Sequence, residues 1–209
     1  MKTLVVVAHL DDETFGLGGT LLKLCKEDPN NVKVLVFCKG RNRSNSEIRM
    51  ENFYDIFSQL GCIGVICDNY DLTLHERPLH ELADIISDHI GRFDPDTVIC
   101  TGIDDIHQEH EIVSRATRIA CRPHTTNVKE LLEFKIPGSS TENYNIAVDI
   151  TDELPDKIEL CNKYITEVKD DICHPNSIQG IVNINIGDGT RFGCGAVELL
   201  RVVWSCKEF

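Results

Sequence analysis

No apolar run in this 209-residue chain reaches the roughly 18 residues that span a bilayer, so a helical membrane anchor is not expected. The opening Thr3–Ala8 stretch is too short for a signal sequence and meets charges at once, which points to a first strand and a cytoplasmic protein. Basic excess is missing too. The formal charge is −13, which disfavours nucleic acid or an anionic membrane as partner. The one basic cluster, Lys39-Gly40-Arg41-Asn42-Arg43, reads as a loop near a site that could steer a small anionic substrate. The ten cysteines include no CxxC pair, which disfavours a thiolate zinc site and suits reduced thiols in apolar segments such as Val98-Ile99-Cys100. Without a linker or an internal repeat, residues 1–209 are expected to form a single domain.

What is present alternates. Short Val/Ile-rich runs at Thr3–Ala8, Val32–Phe37, Gly64–Cys67 and Thr97–Thr101 predict strands. Between and after them Gly18–Lys26, Glu47–Leu60, Leu79–Arg92 and His107–Cys121 carry helical spacing. Strands separated by helices predict an α/β fold: a mostly parallel sheet with helices on both faces, and an elaborated C-terminal part. There, Leu131–Ile136 and Tyr144–Asp149 read as two strands, a candidate hairpin. Asp152–Cys173 reads as a helix capped by Thr151 or Asp152, Gly187–Gly195 as a mobile loop, and Ala196–Trp204 as a final apolar segment.

Two polar clusters follow predicted strands: His9-Leu10-Asp11-Asp12-Glu13, and Asp104-Asp105-Ile106-His107-Gln108-Glu109-His110. In a parallel sheet both fall on the rim where ligands bind. His107 and His110, at i and i+3, share one side of a helix start. Neighbouring Asp11 and Asp12 point in different directions, so one can hold a metal while the other meets its water. Two imidazoles and a carboxylate make a three-ligand zinc site with an open position. Singly, Asp11, Asp12 or Thr14 reads as a helix cap, His107 as a solvent histidine and His9 as a core histidine. Two such clusters on one rim favour chemistry.

These motifs resemble the AHPDDE and HPDH signatures of the GlcNAc-PI de-N-acetylase family, the PIG-L or LmbE-like deacetylases. The resemblance implies a Rossmann-like fold and Zn2+ (or another divalent ion such as Fe2+) held by His9, Asp12 and His110. It implies Asp11 as general base, His107 as the group that polarises the carbonyl and protonates the amine, and Glu109 as the acid orienting His107. Arg49 and Asp71 lie where the family binds sugar hydroxyls. Glu198 and the Asp149-Ile150-Thr151 segment with Lys157 are similar to weaker family signatures. The implied partner is a small N-acetylated sugar conjugate; a homo-oligomer is compatible with the sequence and not specified by it. Leu10 stands where the family has proline, Glu109 where it has aspartate, and Asn176 where some members have arginine. His174 reads as a loop histidine in solvent. Competing readings are a non-catalytic sugar-binding relative and, on ligand chemistry, a non-haem iron oxygenase, although the HxD oxygenases use a β-sandwich. Nucleotide binding through Gly16-Leu17-Gly18-Gly19 fails on spacing, since the glycines begin eight residues after the strand.

Overall fold

The computed structural model describes residues 1–40, 43–69, 73–138, 143–164 and 169–206. Seven strands form one sheet: β1 (Thr3–His9), β2 (Val32–Cys38), β3 (Ile63–Asn69), β4 (Thr97–Cys100), β5 (Glu130–Phe134), β6 (Ile146–Asp149) and β7 (Val197–Ser205). Their order is β3-β2-β1-β4-β5-β7-β6. The first five run parallel, and β7 lies antiparallel to both neighbours. All seven residues of β1 are buried, as a central strand covered on both faces requires.

Alternation along β1 and β2 divides the apolar residues between two cores. Val5, Val7, Val34 and Val36 face Leu17 and Leu21 of α1 (Asp12–Glu27), Phe53 and Ile56 of α2 (Arg43–Leu60), Leu160 of α5 (Leu154–Lys163) and Ile181 of α6 (Ile178–Phe192). Leu4, Val6 and Leu35 face Leu82 and Ile86 of α3 (Leu79–Phe93) and Val113 and Ala116 of α4 (Gln108–Ala120). Helices therefore cover both faces. Among the described residues no helix is long and apolar enough to cross a membrane.

Four local expectations are corrected. α1 starts at Asp12, not Gly18, because its glycines are close-packing positions: an added Cβ at Gly19 would meet Ile150 at 2.7 Å and one at Gly18 would meet Lys157 at 3.0 Å. The expected β5–β6 hairpin does not form, because β7 inserts between the two strands; Leu200 pairs with Phe134 on one side and Ile146 on the other. The expected Asp152–Cys173 helix is shorter, Leu154–Lys163, with Glu153 rather than Thr151 or Asp152 at its N-cap and Pro155 in its first turn. Most of the Gly187–Gly195 stretch is helix. Ser177 caps α6 through the Gly180 N–H, Gly189 lets it approach the Ala196 backbone, and Gly193 ends it at φ 72°.

Candidate metal centre and active site

The strand order turns back between β1 and β4, and their C-terminal ends present both polar clusters, His9 ending β1 and the Asp105–His110 segment following β4. His9 Nδ1 lies 3.1 Å from His110 Nε2 and 3.3 Å from Asp12 Oδ2; His110 Nε2 lies 3.3 Å from Asp12 Oδ1. A tetrahedral ion with bonds of about 2.0–2.1 Å sets its ligand atoms about 3.3 Å apart. The two nitrogens have that spacing from each other, and each has it from a different oxygen of the Asp12 carboxylate; all three residues are buried.

The far side of each ring is held by a carboxylate. Glu109 Oε2 lies 2.7 Å from His9 Nε2, and Asp105 Oδ1 lies 3.1 Å from His110 Nδ1. A carboxylate behind each ring holds its outer N–H, so that the inner nitrogen is the one turned to the centre, free to bind an ion once any proton there is displaced. The donor set fits a divalent ion. The role expected for Glu109 is changed: its carboxylate holds His9, and it is its backbone N–H that donates to His107 Nδ1 at 3.3 Å. Asp105, which the sequence reading gave no role, also accepts the His107 N–H at 2.8 Å. An aspartate two residues before a helix-start histidine was the signal available.

Charge follows geometry. Burial opposes ionisation of Asp12, but His110 and His9 outweigh it and hold its carboxyl well below the usual range. Burial likewise opposes the His110 charge, yet Asp12 and Asp105 push the ring up to about 9. Burial, together with His110 and His9, lowers His107. A neutral His107 that accepts at Nδ1 carries its proton on Nε2.

Asp11 occupies the N-cap position of α1 without a side-chain capping bond, so the capping alternative is not realised. Its backbone sits at φ 138°, a region costing a non-glycine residue about 1–3 kcal/mol. The loop is fastened from two sides. Glu13, fully buried with its pKa raised by that burial, accepts the Asp11 N–H at 3.1 Å and the Tyr164 hydroxyl at 2.6 Å. Arg49 donates to the Leu10 carbonyl at 2.9 Å and lies 3.5 Å from Asp11 Oδ2. Leu10, in place of proline, is buried in the core.

A cavity of about 340 Å3 opens over this centre, lined among others by His9, Asp11, Asp12, Arg49, His107 and His110. His174 and Asn176 line it as well, which corrects the solvent placement of His174. Its Nδ1 accepts the Asn176 N–H at 3.1 Å, which turns the ring within the loop. Asp71 lies outside the described residues. Larger hollows of about 590 Å3 by His124 and about 570 Å3 by Lys129 lie elsewhere. Among the described residues, two groupings of side chains lie at metal-binding separation, His9–His107–His110 and His9–Cys38–Glu109; His107 is thus as near the two other rings as a ligand would be, and Asp12 joins them through its contacts with His9 and His110.

The family model for GlcNAc-PI de-N-acetylase (PIG-L) matches residues 4–121, which hold both clusters. The chain belongs to the GlcNAc-PI de-N-acetylase family. It is thereby an N-deacetylase by family, a hydrolase of amide C–N bonds. Similar solved structures include a conserved protein, TT1542, from Thermus thermophilus (TM-score 0.80, 19% identity, covering 100% of this chain and 97% of that one). The N,N'-diacetylchitobiose deacetylase from Pyrococcus horikoshii, complexed with an inhibitor, gives 0.79 at 19% identity, over 97% of this chain and 83% of that one. The zinc-inhibited form of teicoplanin deacetylase Orf2 gives 0.79 at 14% identity, with 100% of both chains covered. At such identities the likeness speaks for the fold. The curated proteins contain no match.

Proposed function

We propose that this member of the GlcNAc-PI de-N-acetylase family removes the acetyl group of an N-acetylglucosamine-type sugar conjugate, with zinc held by His9, Asp12 and His110. The observation that carries this reading is the convergence of His9 Nδ1, His110 Nε2 and the Asp12 carboxylate, with contacts of 3.1–3.3 Å, in one cavity with Asp11 and His107. When bound, zinc supplies a water acidified to a pKa of about 7 and a Lewis acid for the carbonyl. Asp11, held beside Arg49 and lining the same cavity, accepts the proton released as water attacks the amide carbon. His107 donates a hydrogen bond from Nε2 to the carbonyl oxygen as charge builds there and passes that proton to the departing amine, while the proton taken up by Asp11 returns to the ring, so that both groups end as they began. Arg49 lines the cavity and is proposed to meet sugar hydroxyls while keeping the Asp11 loop in place; Asp71 is proposed for the same contact. The carboxylate–ring contacts support a working centre over an inactive relic, since Glu109, longer than the family's aspartate, reaches His9. The family match and the mostly parallel α/β sheet, unlike the β-sandwich of the HxD oxygenases, support hydrolysis over the oxygenase reading.

Asp11→Asn should lower turnover by about 10²–10⁴-fold with zinc content unchanged, read by acetate release and elemental analysis on the same sample. Wild-type turnover at full metal content would remove Asp11 from the mechanism.

A further inference from the structure

His9 and Cys38 are register partners at the ends of β1 and β2, so their side chains emerge side by side. Glu109 joins them: one ligand atom from each of His9, Cys38 and Glu109 lies within 4.8 Å of the other two, and all three residues are buried. The His9 ring separates two sets of donors. Its Nδ1 meets Asp12 and His110, and its Nε2 meets Glu109 at 2.7 Å. Imidazole, carboxylate and thiolate together suit zinc and softer ions, and the sulfur biases the set towards thiophilic metals. Of the three residues, His9 lines the cavity, so an ion reaches this inner set past the outer one.

We propose that His9, Cys38 and Glu109 form a second, inner metal site that captures thiophilic divalent ions such as Cd2+ or excess Zn2+ and thereby disables the outer centre. The ion takes the place of the proton between His9 Nε2 and Glu109, and the Cys38 thiol loses its proton as the sulfur–metal bond forms. Two protons leave for solvent as one dication enters, so the charge balances. Glu109 then no longer orients His9, and the outer ligand set loses the support of its strand-end histidine. Cys38 has no part in the deacetylation chemistry, so this susceptibility is separable from activity.

The inference rests on His9 being a ligand of the outer centre, and one titration separates the two ideas. Metal-free protein is titrated with Co2+ and followed by absorption. The first equivalent is expected to give ligand-field bands without sulfur-to-metal charge transfer, and further metal to add a near-ultraviolet charge-transfer band. Cys38→Ser should keep the first phase, lose the second, and raise the Cd2+ concentration that halves turnover by at least about tenfold, with Cys38→Ala as a second variant that buries no hydroxyl. Absence of a sulfur band at any metal load, or its survival in both folded variants, overturns the inner site. A Cys38-dependent band without the first phase would support the inner site and sink the outer one.

Discussion

At His110 the two ring nitrogens meet different carboxylates, Asp12 on the metal side and Asp105 behind. Asp105→Asn keeps size but weakens the hold on that ring, so zinc affinity should fall about 10–100-fold by competition with a chromophoric chelator. An unchanged affinity would show that the ring is fixed by packing alone. The same pair of carboxylates sets a pH dependence. In the metal-free protein His110 is raised to about 9, with burial opposing and Asp12 and Asp105 prevailing. A raised histidine favours the metal-free fold below its unfolded pKa of about 6.5, and that contribution disappears as pH climbs to about 9. Zinc must displace this proton. Its apparent affinity should therefore rise by up to about tenfold per pH unit between about 7 and 9, with a proton released that calorimetry in buffers of different ionisation enthalpy can count. The two polar clusters were legible because each stands at or beyond the C-terminal end of a strand, whereas the choice of His9, Asp12 and His110 within them came from the family resemblance. The choice of Glu109's partner was not legible, since only the packed sheet brings residues 9 and 109 within 2.7 Å.

Elements were recognised by period and misjudged where glycine meant contact rather than interruption. Ordinarily an alanine in place of a helix-interior glycine adds about 1 kcal/mol of stability. In α1 the sign should reverse. A Cβ at Gly16 would run into the Phe134 ring and reach the Lys135 carbonyl at 3.1 Å, whereas Gly187 in α6 has open space around its Cβ position. Gly16→Ala is expected to cost about 1–3 kcal/mol through overpacking, and Gly187→Ala to stabilise by about 1 kcal/mol. Thermal melts of the two variants shifting in the same direction would contradict the packing assignment. The β7 insertion escaped the sequence reading for a different cause: apolar alternation locates a strand but says nothing about which strands flank it.

Across the whole molecule, a fully buried ion pair joins distant parts of the chain. Lys157 Nζ lies 2.7 Å from Glu198 Oε1 and donates to Asn185 at 3.0 Å, while Glu198 accepts the Gly19 and Thr20 N–H groups of α1. Both residues stood out in the sequence only through weak family signatures; their joint role needed three helices and a strand in place. Lys157→Met strands the Glu198 charge and should cost about 3–5 kcal/mol, seen as a lower denaturant midpoint at constant slope. A midpoint equal to wild type would mean that Glu198 is neutral or otherwise compensated. Glu198 also bears on the order of events during synthesis. Every proposed metal ligand has been synthesised by residue 110, yet the helix that begins with Asp12 is fastened by a side chain made nearly ninety residues later. Until then β5 lacks its β7 neighbour as well. A nascent chain halted before β7 should hold zinc loosely at best, and the competent centre should arise late, as the last strand slots into the sheet.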